Sequence, residues 1–138
     1  MKSLLIDVAA IADELLAELK PFADARGLRL VGRRPPVDIV FRTDPGLFRS
    51  ILSDLLGYAI GPRRPGGLVE LVLMREADGE LIVVVDDESE GPVRGETARA
   101  ITATRAKAAA IGGCIDVDGQ EGIGCRYTVR IPVATSGI

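Results

Sequence analysis

Histidine and cysteine, which often act as catalytic groups or metal ligands, are absent or scarce in this 138-residue chain. It contains no histidine, which excludes a Ser-His-Asp or Cys-His catalytic centre, a His-ligated metal ion and a phosphohistidine on this chain. Its only cysteines, Cys114 and Cys125, are too few for a structural zinc site. We expect both thiols to lie in the core or on a strand face.

A disulfide between the two cysteines is also disfavoured by the local pattern. Residues 114–118 and 124–131 read as the two strands of a hairpin. That hairpin would put Cys125 opposite about position 117 rather than opposite Cys114. The two sulfur atoms would then be poorly placed to form a bond.

Composition and charge exclude further classes of function. The 17 basic and 20 acidic residues give a formal charge of −3 and a pI near 5.0, so the basic footprint of a nucleic-acid-binding protein is absent. No run reaches the roughly 20 apolar residues that a membrane span needs. Asp7 also interrupts what would be the apolar region of a signal peptide. We expect a cytoplasmic protein, with no nucleic-acid or membrane contact by this segment.

Hydrophobic periodicity predicts three helices and six strands. The predicted helices cover Ile6–Arg26, 44–60 and Thr97–Ile111, and the predicted strands cover 28–31, 37–42, 68–74, 81–85, 114–117 and 125–131. Pro21 should kink or end the first helix near Lys20, whereas Asp44-Pro45 is a typical start for the second. The order α-β-β-α-β-β-α-β-β predicts one α+β domain over residues 1–138. Its architecture would be a two-layer sandwich, with about three helices on one face of a mixed sheet.

That order and four groups of short motifs carry a resemblance to a known family. The motifs are Thr43–Leu52, Asp54–Ile60, Val84–Asp87 and a C-terminal group of Gly112-Gly113, Gly122–Cys125 and Arg130–Pro132. Together they resemble the ATP-binding catalytic domain of sensor histidine kinases, the Bergerat or GHKL (HATPase) fold. The resemblance spans essentially the whole chain, although no single motif is specific. The helices that carry the phosphoacceptor histidine in such kinases are missing from this chain.

The resemblance implies a degenerate metal site on the second helix. In the family, two asparagines of the N box, N-L-L-x-N-A, help to hold Mg²⁺ and phosphate. Asp54 and Tyr58 stand at those positions here. An aspartate could still bind Mg²⁺, so Asp54 is the candidate metal ligand, whereas a tyrosine phenol is a poor ligand and is larger. The basic residue that usually follows the box is also missing; Arg63 and Arg64 either approach the phosphate instead or lie on the surface.

The resemblance also implies an adenine-binding acid at the end of the strand 81–85. In the family's G1 box, D-x-G-x-G, the aspartate accepts the amino proton of adenine. Asp86 fits that position and Asp87 follows it; the alternative is an acid that is simply solvated at a strand end. The glycines of the box are replaced by Glu88 and Glu90, unless a one-residue shift makes Gly91 the second glycine.

The G2 box and the C-terminal glycines of the family can be compared with this sequence in the same way. The glycines of the G2 box correspond to about Ala98–Ile101, so the backbone cradle for phosphate at that helix start is impaired. Gly122 and Gly124 are retained, and they would support the floor of a nucleotide pocket.

Two functions follow from the resemblance. The first is a non-catalytic regulatory or protein-interaction module in two-component signalling, with weak or no ATP binding and no cofactor. Its protein partner would be a set of dimerisation and phosphoacceptor helices or a receiver domain. The second is a divergent but working ATP-binding domain, with ATP and Mg²⁺ as cofactors, that phosphorylates a histidine on helices outside this chain. A purely structural domain is a third possibility that nothing in the sequence favours.

Overall fold

The computed structural model describes residues 2–61, 67–88, 95–120 and 123–132. The helices are α1 (Val8–Ala25), α2 (Pro45–Ile60) and α3 (Gly95–Ala110). The strands are β1 (Leu4–Asp7), β2 (Arg29–Arg33), β3 (Val40–Thr43), β4 (Leu68–Arg75), β5 (Leu81–Asp87), β6 (Cys114–Gln120) and β7 (Gly124–Ile131).

Five strands form one mixed sheet in the order β2-β4-β5-β7-β6. Strand β2 runs parallel to β4, and the other neighbouring pairs are antiparallel. Strands β1 and β3 form a separate two-stranded antiparallel sheet. The three helices pack on one face of the five-stranded sheet, which confirms the predicted α+β two-layer sandwich.

Helix α2 lies at the centre of the helical layer, between α1 and α3 and against β4 and β5. Its apolar residues recur every three or four positions, and they fill the space between the layers. Those with no solvent exposure are Phe48, Ile51, Leu52, Leu55, Leu56 and Ala59. Burying each large side chain among them contributes about 1.5–3 kcal/mol, so α2 is the best-anchored helix and a rigid base for polar groups on its surface.

The start of α2 is fixed by its N-cap, as the sequence predicts. The carboxylate of Asp44 accepts a hydrogen bond from the backbone N–H of Leu47 at 3.0 Å, and Pro45 occupies the first turn. The backbone N–H of Lys2 donates a second bond to Asp44, at 2.9 Å. These hydrogen bonds, chiefly the one from Leu47, hold the pKa of Asp44 below its ordinary value of 3.8.

The first segment of the chain differs from the prediction. Residues 4–7 form β1, paired with β3, and α1 begins only at Val8, where the Asp7 carboxylate caps it. Pro21 lies inside α1, which continues to Ala25, so the alternative in which the helix ends near Lys20 is wrong. The last turn of α1 holds the fully buried Ala23, and its contact with the core keeps this turn helical despite the missing N–H of Pro21.

The C-terminal hairpin is longer than predicted. β6 extends to Gln120 and β7 begins at Gly124, so the Cα partner of Cys125 is Gly119 rather than a residue near 117. Cys114 lies opposite Arg130, and no disulfide joins the two cysteines. Cys125 is in the core and Cys114 is exposed on a strand face, as expected. Within the described residues, no helix combines the length and apolar character needed to cross a membrane.

Candidate functional site

Five polar side chains connect α2 to α3. Ser50, Asp54 and Tyr58 follow one another at four-residue intervals and therefore share one stripe of α2. Thr104 and Lys107 face them from α3. We refer to these five residues as the α2–α3 seam.

Asp54 is the hub of the seam. Its Oδ2 atom accepts hydrogen bonds from Lys107 Nζ at 2.7 Å and from Thr104 Oγ1 at 2.9 Å. Lys107 Nζ also donates to Ser50 Oγ at 2.8 Å. Two helices that are far apart in sequence are thus joined through one carboxylate oxygen and one ammonium group.

Proton counting sets the direction of the remaining bonds in the seam. Thr104 has one hydroxyl proton, and an ionised Asp54 can only accept, so Thr104 donates to Asp54. While Thr104 donates to Asp54 rather than to the more distant carbonyl oxygen of Ala100, at 3.5 Å, the contact of 2.7 Å between Tyr58 Oη and Thr104 Oγ1 has Tyr58 as the donor. The chain of donors runs from Tyr58 through Thr104 to Asp54, and Lys107 donates to Asp54 from the other side.

The seam is sheltered from solvent. Thr104 is fully buried, and the side chains of Lys107 and Asp54 are only 33% and 27% exposed. A charge-assisted hydrogen bond in such surroundings contributes more than one at an exposed surface, because water screens it less. The seam is therefore a structural contact of α3 with the rest of the domain.

The seam does not fit a magnesium ion. Mg²⁺ requires oxygen ligands at about 2.0–2.1 Å in octahedral geometry and retains several waters. Asp54 Oδ2 already accepts two hydrogen bonds, one of them from an ammonium group that would repel the metal. Among the described parts of the chain, no group of three or more His, Cys, Asp and Glu side chains is arranged to hold a metal ion.

Tyr58 connects the seam to the sheet. Its ring lies 6.1 Å from the ring of Tyr127, centre to centre, at an interplanar angle of 42°. Tyr127 has no solvent exposure and belongs to β7. Tyr58 therefore packs against one aromatic ring and is hydrogen-bonded to α3 through Thr104.

Asp86 and Asp87 lie on opposite faces of the sheet. Along β5 the residues Val83, Val85 and Asp87 are buried towards the helices, whereas Val84 and Asp86 alternate with them and are only partly buried. Asp86 and Asp87 are adjacent in sequence, but their side chains therefore lie in two different environments. Only Asp87 lies on the face that carries the seam.

Asp86 is bound in an ion pair on the face away from the helices. Arg126 donates to its two oxygens from Nε at 2.7 Å and from Nη2 at 3.0 Å. These bonds raise the pKa of Arg126 above its ordinary value, so its guanidinium stays charged. The cross-strand neighbour of Asp86 is Glu70, which pairs with Arg33. The structure therefore does not bring Asp86 together with Asp54 and Tyr58.

Asp87 is held where β5 meets β7. Its Oδ1 atom accepts a hydrogen bond from the backbone N–H of Cys125 at 3.2 Å. Gly124 has φ of +149°, and a Cβ atom there would lie 2.0 Å from the carbonyl oxygen of Asp87. Only glycine permits this approach of the two strands, so Gly124 is required by the fold whether or not a ligand binds.

A cavity of about 480 Å³ lies at this end of the sheet. Its lining includes Asp86, Asp87 and Gly124, but neither Asp54 nor Tyr58. The sequence-predicted site residues therefore divide between the seam and the sheet end. Gly91 and Gly122 lie outside the described residues.

Thr104 and Lys107 were missed by the sequence analysis. They lie in an Ala-rich helix, and no local pattern distinguishes them from exposed polar residues of α3 such as Thr102 and Arg105. The four-residue spacing of Ser50, Asp54 and Tyr58 is the sequence signal of the seam, because it places three polar side chains on one stripe of α2.

Structural comparison shows that the chain has the fold of histidine kinase catalytic domains. The nucleotide-free catalytic domain of histidine kinase ThkA superposes with a TM-score of 0.85 at 14% identity, over 96% of each chain. Histidine kinase AdeS of Acinetobacter baumannii gives a TM-score of 0.82 at 16% identity, over 98% of this chain and 69% of AdeS.

Full-length ShkA in complex with AMPPNP gives a TM-score of 0.81 at 23% identity. The match covers 99% of this chain and 32% of ShkA. No protein-family model matches the sequence, and no curated protein sequence matches it either. At these identities, the similarity establishes the fold and leaves the activity to be argued from the site.

Proposed function

We propose that this chain is a histidine-kinase-like regulatory module of two-component signalling, which binds a protein partner and binds ATP weakly or not at all. One observation carries the proposal. The carboxylate of Asp54, at the position where the N box would supply a metal ligand, already accepts hydrogen bonds from Lys107 and Thr104.

The strength of the seam supports weak nucleotide binding. A ligand that needs Mg²⁺ at Asp54 would first have to displace Lys107 and Thr104 from it. Each of these hydrogen bonds is partly exposed to water and contributes about 1 kcal/mol net, so the two together oppose binding by about 2 kcal/mol. That amount weakens a site by about 30-fold. The phenol at position 58, which is held by Thr104 and Tyr127, adds steric bulk to the same place.

The buried acid at the end of β5 favours a second candidate function. We assign the G1 aspartate to Asp87 rather than to Asp86, because Asp87 faces the helices and contacts the backbone at Cys125. Counted from Asp87, the pattern D-x-G-x-G reads Asp87, Ser89 and Gly91, so only its first glycine is replaced. The alternative is therefore a divergent ATP-binding domain that retains adenine recognition at Asp87.

The proposed partner is a protein segment of a histidine kinase system. This chain corresponds to only 32% of ShkA and 69% of AdeS, so similar domains occur within longer kinases. Dimerisation and phosphoacceptor helices or a receiver domain are the partners that the proposal implies. The cytoplasm is the compartment in which such contacts would form.

Titration calorimetry with a non-hydrolysable ATP analogue, with and without Mg²⁺, tests the proposal. We expect no heat of binding into the millimolar range from a chain that circular dichroism shows to be folded. Mg²⁺-dependent binding in the micromolar range would overturn the proposal in favour of the second function.

A matched pair of variants identifies the acid if binding is found. Asp87→Asn would then weaken nucleotide binding, whereas Asp86→Asn, its neighbour on the opposite face of the sheet, would not. Equal effects of the two variants would contradict the assignment of the G1 aspartate to Asp87.

A further inference from the structure

We propose that the ammonium group of Lys107 is the resident cation of the α2–α3 seam. It takes the place at Asp54 that a divalent metal would need, and it holds α3 against α2 without a metal. This inference deepens the proposed function and rests on it in one respect, namely that Asp54 stands where the N box of the resembled family has its first asparagine.

Two oxygen atoms of the seam accept hydrogen bonds from the ammonium group of Lys107. Lys107 Nζ lies 2.7 Å from a carboxylate oxygen of Asp54 and 2.8 Å from the hydroxyl oxygen of Ser50. An ammonium group has three donors and no acceptor, so these two oxygens use most of its capacity. Thr104 donates to the same Asp54 oxygen, and this bond fixes the carboxylate in its orientation toward Lys107.

A second lysine shows that this arrangement is more than an ordinary surface ion pair. Lys20 and Asp24 form an i,i+4 pair on α1 at 3.4 Å, with side chains 68% and 58% exposed. That pair lies within one helix and connects no other element. Lys107 and Asp54 are about half as exposed, lie on different helices and share Thr104 and Ser50 as further partners. Lys20 is therefore a matched control for Lys107.

The inference predicts that the seam responds to charge at position 107. When the ammonium group is present, it joins α3 to α2 through Asp54, and its charge repels a divalent cation from that carboxylate. Without it, Asp54 Oδ2 loses one of its two donors and its charge is no longer balanced, so a hydrated divalent cation is attracted to this carboxylate instead of being repelled. A divalent cation should then substitute for the missing ammonium group and restore the contact between the two helices.

Thermal unfolding with and without Mg²⁺ tests this inference in the variants Lys107→Met and Lys20→Met. Lys107→Met should unfold at a lower temperature than the unmutated chain and should recover part of the loss when Mg²⁺ is added. The unmutated chain and Lys20→Met should not respond to Mg²⁺. In the double variant Asp54→Asn/Lys107→Met the recovery should be lost, because the metal would bind at Asp54.

Direct binding of Mn²⁺, followed by electron paramagnetic resonance, provides a second measurement. Lys107→Met should bind Mn²⁺ roughly tenfold more tightly than the unmutated chain, since a neighbouring positive charge has been removed. If Lys107→Met does not fold, Lys107→Gln keeps a hydrogen-bond donor without the charge and should show the same gain. Equal Mn²⁺ affinity in the folded variant and the unmutated chain would overturn the inference.

The two proposals fail in different ways. Mg²⁺-dependent nucleotide binding by the unmutated chain would overturn the proposed function. The resident-cation inference alone would be overturned by a different pair of results. The unmutated chain would bind no nucleotide, and a folded Lys107 variant would not respond to divalent cations.

Discussion

Two acid–base pairs involve residues that the sequence marks as candidates, and their surroundings differ. Asp54 and Lys107 join two helices, are 27% and 33% exposed and share two hydroxyl groups as partners. Asp86 and Arg126 join neighbouring strands on the sheet face away from the helices, and their side chains are 31% and 61% exposed. Both pairs have N–O distances of 2.7 Å. Distance alone would rank the pairs as equal.

The pairs should differ in how well water solvates the remaining charge when one of the two residues is removed. Water reaches the exposed Asp86–Arg126 pair and would solvate the remaining charge, so the pair should contribute little. In the seam, Lys107 is about half as exposed as Arg126, and Thr104 beside Asp54 is fully buried, so a remaining charge would be less well solvated. We therefore expect the seam to contribute more to the packing of α3 than the pair on the sheet face contributes to the sheet.

The largest effect is expected at the backbone contact on which the end of β5 depends. Gly124→Ala would place a methyl group 2.0 Å from the carbonyl oxygen of Asp87, and we expect a loss of stability on the order of 3 kcal/mol or more. Urea unfolding measures it. Gly57→Ala is the matched control, because nothing lies within 4 Å of that position on α2; there we expect a gain of roughly 0.5–1 kcal/mol. Equal losses at both glycines would contradict the close approach of the strands.

A smaller effect is expected in the seam. Asp54→Ala leaves Lys107 and Thr104 without their shared acceptor, and we expect a loss of about 2 kcal/mol in the free energy of unfolding. Asp54→Asn keeps one acceptor oxygen and should cost about half as much. Denaturant unfolding of both variants checks the expectation. A loss in Asp54→Ala no greater than that in Asp86→Ala would remove the distinction between the two pairs.

The pair on the sheet face should have a smaller effect still. Asp86→Ala and Arg126→Ala are each expected to cost less than about 1 kcal/mol, and the cost should fall as salt is added. A double-mutant cycle for each pair measures the coupling energy directly. We expect the coupling energy of Asp54 with Lys107 to exceed that of Asp86 with Arg126. The reverse order would contradict the expectation that the seam pair contributes more to stability.

The smallest effect concerns the start of α2, the helix that carries Asp54. The pKa of Asp44 is lowered by its hydrogen bonds, so this carboxylate stabilises the folded state above pH 3.8, and that contribution is lost as the pH falls through the folded pKa. Asp44→Asn keeps an N-cap acceptor but does not titrate. We expect little change at neutral pH and a shallower loss of stability in acid.

Urea unfolding as a function of pH checks this last expectation. Asp44→Ala serves as the control, because it removes the N-cap at every pH and should lower stability at neutral pH as well. An unchanged acid dependence in Asp44→Asn would show that the charge of Asp44 does not contribute.

Most of the secondary structure could be predicted from the sequence because its signals are local. The Asp44-Pro45 start and the apolar periodicity of α2 lie within one segment, and each is set by backbone and solvent interactions that need no distant partner. The prediction failed where a distant strand competes with local preference. Ile6 and Asp7, which were predicted to begin the first helix, instead belong to β1 and pair with β3, which follows α1 and β2 in the chain.

The sequence by itself thus determined the α+β sandwich and the helix that carries Asp54 and Tyr58. It could not decide between Asp86 and Asp87, because the run 81–85 is apolar at every position and shows no alternation that would reveal its buried face. Only the pairing of β5 with β4 and β7 fixes which acid faces the helices. Likewise, only the packing of α3 on α2 brings Lys107 to Asp54, 53 residues away. Periodicity describes one element at a time, whereas a site between elements depends on how they pack.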